Sequence, residues 1–425
     1  MRKAQTNSLL TLTVLKDFLK MKILLFTENT YAGGLDSFIV NLVNYWPNPQ
    51  DDFVLVCNES HPGLSHIKER VGKNLQIHPH KFFMHWQLGD FFAQIFWVPL
   101  FLKRAFSALI KYPLLVVWVI WAKKIINRIG PDRMMVINGG YPAGDSCRAA
   151  VIAWGRFNDG RPPCVLNFHN LATKARWWER FLEAIIDWYV ARACKVIVAV
   201  SKACADSMDY RPIVKNSNKV TYVYNGVSGG TAEFDLQEVR QTVGLSEDAP
   251  MCLMLGTYEP RKGHDFLFEA FSKVLRVRPD TRLVICGFGY NHDFERVQNL
   301  VEKKGLQEKV RLENFRDDVV DLIFASDILV VPSQSFESFG LTIVEAMAQS
   351  TPVVATNVGG IPEVLGNNEG GICCEKTDVD SFAQAIILLL ENEALKEETG
   401  QNGYRRFKKL FTADRMALKY SALLQ

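Results

Sequence analysis

The sequence predicts an α/β protein that consists of two parallel-sheet domains, and three observations support this prediction. At 425 residues the chain is too long for one ordinary hydrophobic core, which favours two domains of about 200 residues each. Short, continuous apolar runs recur through both halves, as expected of parallel strands that are buried on both faces. Several of these runs end in a glycine-bearing turn before a helix, which is typical of open sheets that bind ligands at the strand ends.

The composition excludes some classes of protein. Hydrophobic residues make up 48% of the chain and charged residues 22%, as in a folded globular protein. The net charge of +3 is too small to favour nucleic acid as a partner. Nine cysteines without a Cys-x-x-Cys pair, and the absence of a signal-peptide pattern, predict reduced thiols and a cytoplasmic location.

The first half begins with a buried strand, Lys22-Ile-Leu-Leu-Phe-Thr27, directly after Met21. We therefore expect residues 1–20 to be an extension, with Met21 as the alternative start of the protein. Gly33 and Gly34 follow in a turn before a helix, where the backbone can approach a ligand closely, although an ordinary βα turn would carry the same residues. Further strands of this half are predicted at residues 52–57, 75–78, 131–140, 164–169, 195–200 and 220–224.

A polar segment separates the two halves. Residues 227–248 carry Gly229-Gly230 and two acidic clusters, so we predict that they form the linker between a first domain, 21–226, and a second domain, 249–410. In the first domain His169 ends a predicted strand, where a histidine can donate to a ligand hydroxyl or simply complete a loop.

The segment 82–129 is unusually rich in aromatic residues. Its longest apolar run, Tyr112 to Ala122, is about ten residues and is short of the roughly twenty needed to span a bilayer. Lys123 and Lys124 then add positive charge beside this run, as in helices that lie at a membrane surface. Two interpretations remain open, namely two core helices of the first domain or contact with a membrane surface through residues 82–124.

The second half carries a basic pair at the start of its fold. The strand Met251 to Gly256 is followed by Arg261, Lys262 and Gly263 in a βα loop. Arginine offers a planar fork to phosphate oxygens and lysine a point charge, so the pair can neutralise a diphosphate, although an isolated pair of this kind is usually a solvated loop.

Two glutamates lie on either side of a second loop. Glu337 and Glu345 are eight positions apart, between a strand at Ile328 to Val331 and a helix that begins near Leu341. The backbone N–H groups at such a helix start bind phosphate, whereas carboxylates accept hydrogen bonds from hydroxyls. The arrangement therefore predicts a ligand with hydroxyls on both sides of a diphosphate, which is the layout of a nucleotide sugar.

The same segment carries a resemblance to a known family. Residues 334–345, followed by Ala346 to Ala355 and then Gly359-Gly-Ile-Pro-Glu363, resemble the Glu-x7-Glu signature of the retaining glycosyltransferases of family 4. The resemblance implies the GT-B fold, in which two Rossmann-like parallel-sheet domains face each other across a cleft. It also implies that a C-terminal helix, residues 411–425, crosses back to complete the first domain.

The resemblance further implies roles for individual residues. Arg261 and Lys262 would act on the leaving diphosphate, Glu337 would hold the donor sugar, and His169 would contact the sugar from the first domain. Glu345 would bind the ribose. The implied donor-binding residues are Gly33, Gly34, Gly287, Arg316, Phe339, Gly340, Leu341 and Glu345.

No metal or other cofactor is expected. His78, His80 and His85 lie close in sequence, but their spacing is not typical of metal ligands. No Asp-x-Asp motif appears near a predicted strand end. The nucleotide diphosphate sugar would then be the donor substrate and would be bound without a metal.

The resemblance implies a retaining hexosyltransferase. Its acceptor would be a glycan or lipid-linked intermediate, such as one in lipopolysaccharide or other cell-surface polysaccharide biosynthesis, at the inner face of the cytoplasmic membrane. Two alternatives remain, namely a nucleotide-sugar hydrolase or epimerase of the same fold and an inactive nucleotide-sugar-binding subunit.

Overall fold

A computed structural model describes residues 20–29, 33–72, 74–96, 99–157, 160–230, 234–246, 249–366 and 368–425. The predicted extension therefore lies outside the described residues, except for Lys20. Parts of the predicted linker and of the turn before Gly33 also lie outside them.

The described strands form two sheets in which every pairing is parallel. The strands of the first sheet are β1 (Lys22–Glu28), β2 (Asp52–Asn58), β3 (Leu75–His80), β4 (Arg133–Asn138), β5 (Cys164–Phe168), β6 (Cys194–Ala199) and β7 (Val220–Tyr222). Those of the second sheet are β8 (Met251–Leu255), β9 (Arg282–Cys286), β10 (Val310–Glu313), β11 (Ile328–Val331), β12 (Val353–Thr356) and β13 (Ile372–Cys374). The predicted α/β class with two parallel sheets is confirmed.

Helices connect the strands within each sheet. Those of the first half are α1 (Gly34–Asn44), α2 (Leu64–Arg70), α3 (His85–Phe96), α4 (Leu100–Ile129), α5 (Asp145–Arg156), α6 (Arg180–Ala193), α7 (Lys202–Asp206) and α8 (Pro212–Lys215). Those of the second half are α9 (Leu236–Thr242), α10 (His264–Val277), α11 (Asn291–Lys303), α12 (Val319–Phe324), α13 (Leu341–Ala348), α14 (Ile361–Leu365), α15 (Val379–Glu391), α16 (Glu393–Leu410) and α17 (Ala413–Leu424).

The strand order of each sheet reverses once. The first sheet runs β3-β2-β1-β4-β5-β6-β7 and the second β10-β9-β8-β11-β12-β13. The chain therefore winds outward in one direction from β1 and β8 and in the other from β4 and β11. In open parallel sheets, the crevice at the carboxyl ends of the strands flanking such a reversal is the usual ligand site.

The last helix packs on the first sheet. Tyr420 of α17 lies edge-on to Phe38 of α1, and Asn167 of β5 donates a hydrogen bond to the Tyr420 hydroxyl at 2.7 Å. Two stretches of chain cross nearby, where the N–H of Val227 donates to the carbonyl of Phe411 at 3.0 Å. This crossing is so close that a Cβ at Gly226 would lie 2.4 Å from a backbone oxygen.

The predicted linker contains a helix, α9, that packs against the second sheet through hydrogen bonds and an ion pair. Arg240 of α9 forms an ion pair with Asp327 at 3.0 Å and donates to the carbonyl of Ala325. The polar composition of 227–248 therefore reflects a solvated helix as well as connecting loop. The domain boundaries stay a prediction.

The aromatic segment 82–129 forms the two helices α3 and α4. Helix α4 is 30 residues long and includes a 25-residue stretch, Ala105–Ile129, that is long and apolar enough to cross a membrane by length and composition. A core helix passes the same test, and Trp118 and Ile126 of α4 are buried in the core of the first sheet. The helix is much longer than the apolar run Tyr112 to Ala122, because the lysines beside that run do not interrupt helical structure.

Candidate active site

Two loops of the second sheet lie side by side because they follow neighbouring strands. The first follows β8 and carries Arg261 and Lys262, and the second follows β11 and carries Glu337. The backbone N–H of Gln334 donates to the carbonyl of Arg261 at 2.8 Å. Gly263 has a φ of +80°, and a Cβ there would lie 2.0 Å from the Pro332 oxygen, so glycine lets the loops meet. The site thus forms where the strand order reverses.

Lys262 and Glu337 form an ion pair in this crevice. The distance from Lys262 Nζ to Glu337 Oε2 is 2.6 Å, and both side chains are largely buried. Burial by itself would raise the pKa of Glu337, but the positive charges of Lys262 and Arg261 outweigh it and hold the pKa below its usual value. The carboxylate therefore stays ionised beside a lysine, and the lysine amine can also face an anionic ligand.

Arg261 lies at the outer side of the same loop. Its guanidinium pairs with Glu259 at 2.8 Å and lies over the ring of Phe336, with 5.2 Å from Cζ to the ring centroid. The side chain is partly exposed, so the ion pair with Glu259 holds it loosely enough to exchange partners.

The helix that follows Glu337 begins as the sequence predicts, at Leu341. Gly340 precedes it with a φ of +93°, which lets the chain turn sharply into α13. The first N–H groups of a helix have no partner within it and attract anions. Gly359 and Gly360 pack directly against this turn, since a Cβ at either position would collide with the backbone of Glu337 or Ser338.

Glu345 lies one turn into α13 and differs from Glu337 in its surroundings. Burial raises the pKa of Glu345 from 4.5 to about 7, and no charged group in the described part of the chain offsets this effect. The side chain is partly buried. A carboxylate without a charged neighbour suits hydrogen bonds from neutral hydroxyls better than contact with phosphate.

The first sheet contributes the opposite wall of the crevice. A Cβ at Gly34, at the start of α1, would lie 3.3 Å from Cδ2 of Leu341, so the α1 and α13 starts face each other. A Cβ at Gly33 would meet no atom of the described residues within 4 Å. Asp36 fixes this turn by accepting a hydrogen bond from the Gly33 N–H at 2.9 Å and pairing with His61. Of the two predicted glycines, Gly34 thus contacts the predicted donor loop, and Gly33 precedes it in the same turn.

His169 lies at the carboxyl end of β5 and is held in its neutral form. The backbone N–H of His169 donates to the carbonyl of Asn138. The imidazole ring lies edge-on to Phe38, with 4.6 Å between the ring centroids. Burial lowers the pKa of His169 to about 3, and Nε2 is buried without a hydrogen-bond partner among the described residues. A neutral imidazole with an unused ring nitrogen can bind a hydroxyl.

The other predicted donor residues have mixed surroundings. Phe339 is buried between Tyr224 and Phe411, so its ring belongs to the contact between the two halves, not to an open surface. Gly287 approaches the backbone so closely that a Cβ would lie 1.8 Å from the Gly256 oxygen. Arg316 is paired with Asp318 and donates to Thr242 at 2.9 Å, so its guanidinium is turned toward α9.

Two of the three neighbouring histidines pair with separate carboxylates. His80 of β3 pairs with Glu28 of β1 at 3.4 Å, and His85 of α3 pairs with Asp145 of α5 at 3.2 Å. No group of three or more histidine, cysteine, aspartate or glutamate side chains suited to a metal occurs within the ranges that the structure describes.

Several residues at the junction of the two halves carried no signal that assigned them a role. Ser201 donates through Oγ to the Ser338 carbonyl at 2.5 Å, and Ser338 donates to Asn170 at 2.9 Å. Glu363 accepts hydrogen bonds from the backbone N–H groups of Lys202 and Ala203, at 2.7 and 3.1 Å. The Gly-Gly-Ile-Pro-Glu363 motif was recognisable in the sequence, but its contact with α7 was not. Glu363 and α7 are about 160 positions apart along the chain, and contacts between such distant residues leave no local sequence pattern.

Sequence models of two families match the chain. The model described as Glycosyltransferase Family 4 matches residues 32–228, and the model described as Glycosyl transferases group 1 matches residues 235–406. Together they cover most of the protein. The chain therefore belongs to the group 1 glycosyltransferases of family 4.

Individual relatives match over part of their length. The N-acetyl-alpha-D-glucosaminyl L-malate synthase of Bacillus anthracis is 27% identical over 229 residues, which are 54% of this chain and 58% of that protein. The phosphatidyl-myo-inositol mannosyltransferase of Mycobacterium leprae is 30% identical over 251 residues, which are 58% of this chain and 63% of that protein.

Solved structures match over nearly the whole chain. HepE of Anabaena, solved in complex with UDP and glucose, has a TM-score of 0.71 at 18% identity, with 95% of this chain and 99% of that chain covered. A glycosyltransferase of Rickettsia africae has a TM-score of 0.74 at 19% identity, with 95% and 98% covered. At these identities the likeness concerns the fold, and it confirms the predicted GT-B architecture.

Proposed function

We propose that this protein is a retaining hexosyltransferase that uses a nucleotide diphosphate sugar as donor. The observation that carries the proposal is the Lys262–Glu337 pair next to the start of α13, at the strand-order reversal and opposite Gly34. This arrangement combines a cation and helix N–H groups for a diphosphate with a carboxylate for sugar hydroxyls. The binding of UDP and glucose by HepE is a property of that protein, but it makes a nucleotide sugar a reasonable donor here.

In this proposal the donor lies across the start of α13. The diphosphate contacts Lys262 and the N–H groups of Gly340 and Leu341, and Arg261 exchanges Glu259 for a phosphate oxygen. Glu345 accepts hydrogen bonds from the ribose, and Glu337 from the sugar. Gly33, Gly287, Arg316 and Phe339 shape the rest of the donor site, of which Arg316 would have to leave Asp318 to reach a ligand.

The reaction breaks the bond between the anomeric carbon and the diphosphate oxygen and forms a bond to an acceptor hydroxyl oxygen on the same face. The proton of that hydroxyl passes to the departing phosphate oxygen. Lys262 and Arg261 stabilise the negative charge that develops on the diphosphate. Such electrostatic stabilisation of the transition state is usually the largest single contribution to catalysis. His169, neutral and with Nε2 unpartnered among the described residues, would hold a sugar hydroxyl from the first-sheet side once a ligand reaches this buried atom. No step requires a metal.

The acceptor is proposed to be a glycan or lipid-linked intermediate of cell-surface polysaccharide biosynthesis, lipopolysaccharide included. The long apolar helix α4 supports this choice, since it gives the first sheet a surface suited to a membrane. The name of the mycobacterial relative also refers to a lipid acceptor. The protein would then work in the cytoplasm, at the inner face of the cytoplasmic membrane.

The donor site is tested by thermal unfolding in the presence of UDP, GDP, ADP and their sugars. A ligand at about 100 times its Kd should stabilise the protein by about 2.7 kcal/mol, so one base should raise the Tm selectively. Lys262→Ala and Glu345→Ala should abolish the shift. Lys273→Ala should leave it unchanged, because Lys273 also pairs with a carboxylate, Asp380, but lies on α10 outside the crevice. No shift with any nucleotide would contradict the proposed donor site.

The reaction is tested by following the anomeric proton of the product by NMR. A product with the anomeric configuration of the donor would support retention, and the opposite configuration would contradict it. Free sugar or an epimer that forms equally with and without an acceptor would favour the hydrolase or epimerase instead.

A further inference from the structure

A broad exposed apolar surface lies on helix α6 and the turn before it. Its large side chains have exposed fractions from 40% to 76%. They are Trp177, Trp178, Phe181, Leu182, Ile185 and Trp188. Exposed aromatic residues at this density on one helix are unusual for a surface that faces only water. We refer to these six residues as the α6 face.

Helix α4 adds a second apolar stripe on the same side of the first sheet. Leu109, Val116, Val117 and Ile120 recur at helical spacing and are exposed by 52% to 75%. Helix α5 packs between α4 and α6, and Lys111 of α4 also reaches Glu183 of α6 at 2.9 Å. The two stripes therefore belong to one side of the molecule.

The acidic residues of α6 lie on its buried side and the arginines on its exposed side. Glu183 and Asp187 point inward, where they pair with Arg148 and Arg211 at 2.6 and 2.7 Å. The exposed charged residues of α6 are the arginines at positions 180 and 192. The outer side of the helix is thus apolar and positive, without an exposed carboxylate.

Arginines also lie over the exposed tryptophans. The Arg192 guanidinium is 4.8 Å from the Trp188 ring centroid, and that of Arg176 is 5.6 Å from Trp178. Helix α4 contains no acidic residue in its sequence, and Lys124 is exposed near its C-terminal end. Tryptophan and arginine together are typical of surfaces at the boundary between lipid headgroups and acyl chains.

We propose that the α6 face and the exposed stripe of α4 dock this protein on the surface of an anionic lipid bilayer. The aromatic side chains would enter the headgroup boundary while the arginines bind lipid phosphates. Helix α4 would lie on the bilayer and not cross it, because Leu115, Trp118 and Ile126 on its other side are packed in the core of the first sheet. This inference extends the proposed membrane location and does not depend on the donor site.

Charge favours a bilayer over a second copy of this chain. A symmetric dimer through the α6 face would bring the arginines of one copy toward those of the other, since a two-fold interface uses the same patch twice. Like charges that meet at an interface disfavour it. An anionic bilayer instead provides negative charge across the whole surface.

The proposal is tested by co-sedimentation of the full-length protein with vesicles. Vesicles of phosphatidylcholine with phosphatidylglycerol should bind at least tenfold more tightly than vesicles of phosphatidylcholine alone, because about fivefold is expected for each arginine near an anionic surface. The double variant Trp177→Ser, Phe181→Ser should weaken binding about tenfold or more, since both side chains lose their apolar contact. Arg180→Gln with Arg192→Gln should reduce the preference for phosphatidylglycerol.

Matched controls use exposed residues elsewhere. Leu418→Ser removes a side chain of 61% exposure on α17, and Arg405→Gln removes an exposed arginine on α16, so both should bind vesicles like the wild type. Every variant should keep the nucleotide-dependent rise in Tm if the donor site is intact, which separates a failure of this proposal from a failure of the proposed catalysis.

Three outcomes would overturn the proposal. The first is that the wild type binds neither kind of vesicle. The second is that the α6 variants bind as well as the wild type. The third is a wild-type dimer in solution that the α6 variants dissociate, without any vesicle binding, which would make the surface an interface between two copies.

Discussion

Glu337 and Glu345 illustrate how position alone sets the chemistry of two identical residues. Both lie beside the start of α13, but Lys262 is 2.6 Å from Glu337, whereas no charged group of the described residues stabilises the Glu345 carboxylate. The pKa of Glu337 is therefore lowered and that of Glu345 is raised to about 7. Opposite shifts in one crevice are typical of functional sites.

The raised pKa of Glu345 predicts a pH-dependent cost to stability. Between pH 4.5 and about 7 the folded protein keeps a proton that the unfolded chain has lost, so the free energy of unfolding falls as the pH rises through this window. Above it the cost is complete. Glu345→Gln should therefore be more stable than the wild type by about 1–3 kcal/mol at pH 8, and nearly equal to it at pH 4.5.

Urea unfolding without nucleotide at the two pH values measures this difference. Glu397→Gln, at an exposed position of α16, is the control and should change stability equally little at both. An effect of Glu345→Gln that does not vary with pH would mean that the carboxylate is not held in its neutral form.

At the scale of elements, an ion network joins α4, α5 and α6. Arg148 is fully buried and pairs with Asp145 and with Glu183, while Lys111 and Arg211 also contact Glu183. Burial would raise the pKa of Glu183, but the positive charges of Arg148 and Lys111 lower it overall. The stability gained is therefore present above the usual pKa of a glutamate and is lost as the pH falls through the lowered value.

Arg148→Met should destabilise the protein by about 3–5 kcal/mol at pH 7, because it leaves carboxylates buried without their partner. The loss should shrink toward pH 4.5, where those carboxylates can take up a proton. Urea unfolding at both pH values measures it. Arg311→Met is the control, since Arg311 pairs with Glu313 on an exposed surface and should cost less than about 1 kcal/mol. An equally small loss at Arg148 would contradict a structural role for the network.

At the scale of the whole molecule, hydrogen bonds hold the two halves in a closed arrangement. Ser201 both caps α7, accepting from the Cys204 N–H at 3.0 Å, and donates to the Ser338 carbonyl beside Glu337. Glu363 adds two hydrogen bonds to the start of α7. The geometry of the crevice therefore depends on contacts between residues far apart in the chain.

Ser201→Ala should favour a more open molecule. We expect a loss of about 1 kcal/mol from the missing cap, and in addition a larger radius of gyration by small-angle X-ray scattering and a higher KM for the donor. Asp378→Ala is the matched control, since Asp378 caps α15 through the Ser381 N–H at 2.8 Å within the second half. It should lose similar stability without any change in size. Equal scattering curves for the two variants would contradict a closing role for Ser201.

Strand β11 and the loop that leads from it to α13 could be predicted because their sequence signals are local. Strand β11 was predicted at the observed residues, Ile328 to Val331, and α13 begins at the predicted Leu341, because a buried apolar run and a glycine with positive φ are each encoded within a few positions. The length of α4 was not predicted, since lysines next to an apolar run weaken its hydropathy but not its helix.

The sequence by itself determined the α/β class, the two sheets, and the residues of both loops, since apolar period and glycine position specify these locally. Only the tertiary structure decided that Lys262 pairs with Glu337, 75 positions away, and that Gly34 faces Leu341. It also decided which side of α6 is exposed. That helix carries apolar residues on both sides, and its acidic residues turn inward because their partners, Arg148 and Arg211, come from other helices and turns. Ion pairs between residues far apart in the sequence leave no periodic pattern. The burial of the acidic residues of α6 therefore could not be predicted and is known only from the structure.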